Sequence, residues 1–394
     1  LLFCALQYQS KCDCDCTICF VLQGPQDGND LLQYSCALLS ITVNCIMWDK
    51  HASGAGIASL LLCLVAAAFY KQAPKKKAGR AARVEFLDLV ERHGIAWHEK
   101  TLGQLFCDGS AKQIVDMLLE ECAKGDMELA LGEGPQDVSH ADGAFSLRVG
   151  DRKLSAPALV IATGGPSIPK MGATGFAYDL ARRFGLKIVE PRPALVPLTL
   201  GGEDVLFRAL SGVAAPVEAR ANKASFREAA LFTHRGLSGP AILQVSSYWR
   251  PGDSVTIDFL PDHLPDWLIT AKRETPRATA KGVLGSVLPG RLAETLAERL
   301  DLPGELANLP DRKLESAARQ LAAWTFVPNG SEGFAKAEVT AGGISTAELS
   351  SQTMEAKKVP GLFAIGEAVD VTGWLGGYNF QWAWASGQAC GQAI

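Results

Sequence analysis

From about Glu85 to its end, this chain alternates between unbroken apolar runs and apolar residues at helical spacing. Ala158-Leu-Val-Ile-Ala162 is a short continuous apolar run, the pattern of a strand covered on both faces, and Leu362-Phe-Ala-Ile365 repeats it. Thr174 caps a helix predicted over Phe176–Phe184, Gly185 stops it, and Leu186–Val189 reads as another strand. Strand, helix and strand in that order predict a parallel α/β sheet. Upstream, Ser110-x-x-Gln113 has the spelling of a capping box, after which Val115, Leu118, Leu119 and Cys122 fall on one helical face. A last helix is predicted from about Asn379 onward.

The middle of the chain changes character. From Pro191 to Ala335 prolines recur, and short β-like runs (Val196–Leu200, Val255–Leu260) precede helical segments such as Arg312–Trp324. The pattern predicts a discontinuous α/β domain over residues 84–190 and 336–394, interrupted by an inserted β-rich and helical domain over 191–335. Residues 1–83 form a divergent, cysteine-rich and apolar N-terminal segment.

Eight of the eleven cysteines fall within residues 1–63, and residues 1–70 carry only seven charged side chains, against 20% for the whole chain. Ala52–Tyr70 is uncharged and is followed by Lys71, Lys75, Lys76, Lys77 and Arg80, a length and flank that would suit a membrane anchor. A buried or non-native segment is the favoured reading, so a membrane is not an expected partner. Leu1-Leu2-Phe3 has no basic lead, and Asp13 and Asp15 interrupt the next stretch, so no secretory signal is expected. Cys12, Cys14, Cys16 and Cys19 crowd four thiols into eight residues, which leaves little loop to wrap an ion, and no metal is expected.

A formal charge of -4 and a pI near 5.9 give no electrostatic footprint for wrapping a polyanion. The expected partner is therefore a small-molecule substrate or electron acceptor in the cytoplasm, and nucleic acid is not expected. No Ser–His–Asp order or zinc-protease spelling supports hydrolysis.

The strongest chemical signal is GLFAIGEAVDVTGWLGGYNFQWAWASG, Gly361 to Gly387. A buried strand ends at Gly366-Glu367, and Gly376-Gly377 then opens a helix, which aims backbone N–H groups toward an electron-rich ring edge or a phosphate. The acid at the strand end can accept hydrogen bonds from sugar-like hydroxyls. A tight turn before a structural helix is the competing reading.

Taken whole, this segment resembles the C-terminal flavin-binding signature of the YhiN-like (BaiN/RdsA-like) family of FAD-dependent oxidoreductases. Four other stretches are similar to that family: Glu91–Gln113, Ala162–Gly175 (ATGGPSIPKMGATG), Pro193–Thr199 with Leu231–Pro240 (LFTHRGLSGP), and Ala337–Pro360. The resemblance covers roughly residues 84–394. It implies a Rossmann-like FAD-binding domain of the two-dinucleotide-binding type with an inserted second domain.

By the same resemblance, Gly366 and Glu367 would receive the ribityl–pyrophosphate region. Gly376, Gly377, Tyr378, Asn379 and Phe380 would lie against the flavin pyrimidine edge, with Asp370 and Gln381 nearby. Thr163, Gly164 and Gly165 match a strand-end turn close to the dinucleotide. Thr340, Ala341, Gly342 and Gly343 would wall the isoalloxazine. Trp374, Trp382 and Trp384 flank the segment, one to stack on the ring and another to pack the helix. His234 and Arg235 are the only candidates for catalysis, as proton donor or anion anchor, against a plain hydrogen-bonded loop pair. His93 and His98 read as ordinary surface or core histidines.

The chain departs from the family at its start. The expected G-x-G-x-x-G is approached only by Gly54-Ala-Gly56-Ile-Ala-Ser59, and no Asp or Glu occurs between Gly54 and Val84 to bind ribose. Two functional readings remain. The first is an FAD-dependent oxidoreductase passing a hydride or electron pair, with NAD(P)H docking transiently as donor. The alternative is a non-catalytic or FAD-deficient remnant of the same family. A form anchored through Ala52–Tyr70 is a third, weaker reading.

Overall fold

The computed structural model of the protein describes residues 86–100, 104–124 and 134–394, and ahead of them only the backbone of short strands between Ala5 and Tyr70. The Gly54–Ser59 fingerprint, and most of the cysteine run and of the Ala52–Tyr70 run, lie outside the described residues. Among those described, no helix is long and apolar enough to cross a membrane. The fold is α/β, and it divides into two compact units: the residues up to Pro193 together with Glu338–Ile394, and Ala194–Ala337.

The first unit opens with a helix, α1, over residues 86–92. An antiparallel pair, β1 (Trp97–Glu99) and β2 (Gln104–Cys107), comes next. Helix α2 (Lys112–Lys124) buries Ile114, Met117 and Leu118. The face anticipated from Val115, Leu118, Leu119 and Cys122 is thus turned by about one residue, and Leu119 is exposed. The capping serine does act, since Ser110 Oγ accepts the Lys112 N–H (3.2 Å).

Strands β3 (Gln136–Ala141), β4 (Ala144–Val149) and β5 (Arg152–Ala156) form an antiparallel meander in the order β5–β4–β3. Phe145, Leu147 and Val149 alternate inward along β4, as a sheet with one covered face requires. Strand β6 (Ala158–Ile161) is buried at every position. Helix α3 (Phe176–Arg183) buries Ala177, Tyr178, Leu180 and Ala181, and β7 (Ile188–Ala194) succeeds it.

The second unit is built on a seven-stranded sheet. Its members are β8 (Leu198–Thr199), β9 (Ala214–Ala221), β10 (Ala224–Phe232), β11 (Gly236–Ser238), β12 (Val255–Asp258), β13 (Trp324–Phe326) and β14 (Gly330–Ser331). Their spatial order is β13–β12–β9–β10–β11–β8–β14. Helices α4 (Pro240–Ser246), α5 (Trp267–Glu274), α6 (Ala280–Gly285), α7 (Gly290–Arg299) and α8 (Asp311–Ala322) share its core. In α8, Leu314, Ala317, Ala318 and Leu321 keep the i, i+3, i+4, i+7 spacing of a single buried stripe.

The chain then returns to the first unit. Strand β15 (Val339–Ile344) is wholly buried and pairs with β7. Strand β16 (Leu362–Ala364) joins β6 in parallel, with Leu159, Val160 and Ile161 opposite Leu362, Phe363 and Ala364. Helix α9 (Tyr378–Gly391) closes the unit. Its Trp384 is 2% exposed and stacks edge-on against Phe86, with ring centroids 4.1 Å apart.

Candidate active site

Strands β6 and β16 end side by side, and the loops leaving them carry most of the chemistry. Ile365 N–H donates to Ile161 O (3.0 Å), which extends the parallel pairing to the end of both strands. Past β6, Thr163 is fully buried and Gly164 turns the chain at a φ of 66°. Past β16, Gly366 N–H donates to Ser386 Oγ (2.9 Å), and Trp382 Nε1 donates to Gly366 O (2.9 Å). Helix α9 therefore holds this turn from both sides.

Glu367 is the electrostatic centre of the cluster. The residue is half-buried, but its carboxyl is surrounded by protein. Its Oε1 accepts the Thr340 N–H (2.8 Å), and the Ser167 and Thr340 hydroxyl oxygens lie 2.8 Å apart. Burial pushes the Glu367 carboxyl up to about 7, with the Thr340 amide and the Thr340 and Ser167 hydroxyls pulling the other way. The strand-end acid thus faces inward to β15 and the post-β6 loop, where it ties three segments together.

The loop before α9 is closed by Asn379, whose Oδ1 accepts Gly373 N–H (2.7 Å) while its Nδ2 donates to Gly373 O (3.3 Å). Gly376 and Gly377 have φ of 107° and 91°, a backbone that side chains rarely adopt, and Gly377 is the N-cap of α9. Gln381 N–H donates to Gly377 O (2.9 Å), which leaves the amides of Tyr378, Asn379 and Phe380 ahead of the helical ladder. Residues 376–380 are half-buried, so this positive helix end is reachable from outside.

The remaining candidates divide. Thr340 is buried, and a side chain on Gly342 would run into the Glu190 carbonyl. Asp370 is half-buried, and its N–H donates to Ile344 O (2.9 Å). Gln381 is buried within α9, and Phe380 packs against the α1–α2 core. Trp374 is 46% exposed. His234 and Arg235 occupy an exposed turn of the second unit, where Arg235 Nη1 pairs with Glu332 (3.4 Å). His93 is clamped between Glu120 (3.0 Å) and Glu121 (2.8 Å).

Sequence reasoning did not single out Ser167, Tyr178 or Ser386, although Ser167 and Ser386 lie inside two of the stretches that carry the resemblance. Ser167 and Ser386 are both buried. Tyr178 is 3% exposed on the inner face of α3, and burial, with Glu367 and Asp370 nearby, raises its hydroxyl well above the ordinary tyrosine range.

A family model described as HI0933-like protein Rossmann domain matches residues 70–393. The chain belongs to this HI0933-like flavoprotein family. It is similar to the ribosomal RNA dihydrouridine synthase of Escherichia coli K12, with 49% identity over 325 residues, 81% of each chain. The ribosomal RNA dihydrouridine synthase of Haemophilus influenzae is 43% identical over 327 residues, 81% of this chain and 82% of that one. The 3-dehydro-bile acid delta(4,6)-reductase of Clostridium scindens is 28% identical over 300 residues, 72% and 73% of the two chains.

These relatives overturn the expectation that nucleic acid is no partner. That expectation rested on the net charge of the whole chain, whereas two similar members of the HI0933-like family are named for an RNA substrate. An enzyme that works on one base of an RNA need not carry a net positive charge, because local contacts to the backbone and base suffice.

Three features suit the FAD that such a family implies. The half-buried, glycine-opened end of α9 can face a ring edge. Gly164 turns the chain past β6 through a backbone that favours glycine, which permits close approach of the main chain. Its neighbour Gly165 sits where any Cβ would collide with the Thr340 side chain, so that turn is held tight against β15. The residues expected to hold the adenosine end fall outside those described.

Proposed function

We propose that this chain is an FAD-dependent reductase that adds two hydrogens across a ring double bond of uridine in ribosomal RNA. The observation that carries the reading is the half-buried N-terminus of α9, opened by Gly376-Gly377 beside the ends of β6 and β16. FAD, when bound, supplies hydride acceptance and donation. The chain's own groups supply position and charge. Thr163, Gly164, Gly165 and Gly366 would line the dinucleotide, and Thr340, Ala341, Gly342 and Gly343 would form its wall. Glu367 would hold those two segments together, with Asp370 and Gln381 alongside. Gly377, Tyr378, Asn379 and Phe380 would offer their amides to the pyrimidine edge, where a helix N-terminus favours negative charge.

The reaction class is drawn from what the relatives' names share. Dihydrouridine forms when the uracil double bond conjugated with a carbonyl is reduced, and a 3-dehydro-bile acid delta(4,6)-reductase acts on double bonds conjugated with a ketone. Both reductions place a hydride on one alkene carbon and a proton on the other. The greater likeness to the two RNA enzymes favours uridine over a steroid. NAD(P)H would supply the hydride and solvent the proton. With ribosomal RNA as substrate, the reaction would run in the cytoplasm.

The test is direct. The purified protein should show a flavin spectrum, release FAD on denaturation, and convert uridine to dihydrouridine in unmodified ribosomal RNA when given NADPH or NADH, read by nucleoside mass. Protein that is colourless and takes up no added FAD overturns the reading and leaves the remnant alternative. Flavin that is reduced yet leaves ribosomal RNA unchanged would overturn the substrate alone.

A further inference from the structure

The segment that carries the flavin-like signature buries almost everything it contains. Across residues 361–391 every residue is partly or wholly buried except one, and that one is a tryptophan. The other two tryptophans of the segment are used inside the fold: Trp384 packs against Phe86, and Trp382 donates its indole N–H to Gly366 O. Trp374 is 46% exposed, and no other tryptophan among the described residues is exposed. A ring of this size left in water forgoes the stabilisation that burial would bring, so its place calls for a reason.

The indole does not hang from a loose loop. Thr372 Oγ1 donates to Thr340 O of β15 (3.4 Å). Asn379 holds Gly373 through both its N–H and its carbonyl, and its Nδ2 also donates to Trp374 O (3.5 Å). A Cβ on Gly373 would stand 2.5 Å from Tyr378 Cβ, so the loop lies directly on the first turn of α9. The Tyr378 ring meets the indole edge-on, with centroids 6.1 Å apart and planes at 75°. The ring is set in place before any ligand arrives, which spares the ordering cost of a flexible contact.

What surrounds the indole narrows its partner. Its π-face offers stacking, and the adjoining start of α9 is a positive helix end. An apolar protein surface laid over both would cover backbone donors without supplying acceptors. An RNA strand supplies both complements, a base with a π-face and an anionic backbone with acceptor oxygens. A uridine whose ring double bond is to be reduced must leave its stack to be reached, which also frees the faces of its neighbours.

We propose that Trp374 is a binding residue for the substrate RNA, on whose exposed indole an unstacked base of the strand lies. The proposal rests on the ribosomal RNA reading above and adds to it a residue that grips the strand. Stacking of this kind accepts any base, so Trp374 contributes affinity and leaves the choice of uridine to the reacting site.

The experiment is fluorescence anisotropy of a short labelled oligouridine titrated with the purified protein, with the flavin content of each sample read from its absorbance. Trp374→Ala should raise Kd roughly tenfold or more. Trp374→Phe should keep most of the wild-type affinity, and Trp374→Leu, apolar but without a π-face, should behave as the alanine variant. The deficit of the alanine variant should be the same at low and high salt, because no charge is lost. The wild type should also bind an abasic oligomer of the same length roughly tenfold or more weakly than oligouridine.

Alanine and wild-type proteins of equal affinity overturn the proposal, as does a leucine variant that binds as well as the phenylalanine one. Equal wild-type affinity for oligouridine and the abasic oligomer overturns it without recourse to any variant. Loss of bound flavin from Trp374→Ala, restored in Trp374→Phe, would assign the ring to the cofactor and overturn it too. Wild-type protein that binds no single-stranded RNA removes the RNA reading itself, whereas wild-type binding that survives loss of the indole removes this proposal alone.

Discussion

Glu367 places an ionisable carboxyl inside the fold, and its pKa is pushed up to about 7 from an ordinary 4.5. Below the ordinary value the group is protonated in both folded and unfolded chains and has no effect on stability. As pH rises toward 7, the unfolded chain releases this proton while the folded chain keeps it, so stability must fall. Above 7 the folded protein carries an enclosed charge, and at about 1.4 kcal/mol per pH unit the accumulated loss is about 3–4 kcal/mol, of which about 2–3 kcal/mol falls between pH 5 and pH 8. Glu367→Gln removes the titration while leaving a carbonyl oxygen for the Thr340 N–H, and the Ser167 and Thr340 hydroxyls can turn to accept from the amide. The assay is urea unfolding of the FAD-free proteins between pH 5 and pH 8, monitored by circular dichroism. Relative to the variant, the wild type should lose about 2–3 kcal/mol across that range. The two compact units supply an internal control, because the transition of Ala194–Ala337 should be untouched by the substitution. Parallel pH profiles for the two proteins would refute the reasoning.

Three further outcomes are expected. Gly342→Ala places a methyl group against the Glu190 carbonyl and 3.0 Å from Pro191 Cα at a φ of 88°. A left-handed backbone at about 1–2 kcal/mol and overpacking at about 1–3 kcal/mol should lower the Tm of the first unit clearly, by scanning calorimetry. Ser386→Ala strands the buried Gly366 N–H and should cost about 1–3 kcal/mol in chemical denaturation, without altering the second unit. Trp384→Ala empties the seam between α9 and Phe86 and should cost about 3–5 kcal/mol, with amide exchange accelerating first in residues 86–92.

Much of the site was legible as chemistry but not as geometry. Ala158–Ile161 and Leu362–Ala364 announce themselves because a strand buried on both faces has no polar position to hide it. Nothing local says that these two runs, about 200 residues apart, pair with each other. Gly376-Gly377 marks a helix start through backbone freedom that only glycine has, and that signal is local. Glu367 was readable as a strand-end acid, while its grip on Thr340 and Ser167 depends on loops that meet only in three dimensions. Tyr178 was silent, since an aromatic residue on a helix face reads as core whatever its hydroxyl faces. The RNA substrate for which the two similar enzymes are named left no sign for a different reason: net charge sums over the whole surface, and a local contact leaves no mark on that sum.

The parallel pairing of β6 with β16 also sets an order of assembly during synthesis. Ala194–Ala337 is one contiguous stretch, free to condense as soon as it has left the ribosome. The residues ahead of it must wait, because β15, β16 and α9 emerge after it. Long-range pairing of this kind is slow, and a chain held open meanwhile is exposed to aggregation. A ribosome that stalls before Leu362 would release a product whose second unit is folded and whose Glu367 turn and α9 do not exist. Only a chain translated past Ala364 can bring the ends of β6 and β16 together, and only one translated through α9 also carries the Ser386 and Trp382 groups that hold the Gly366 turn.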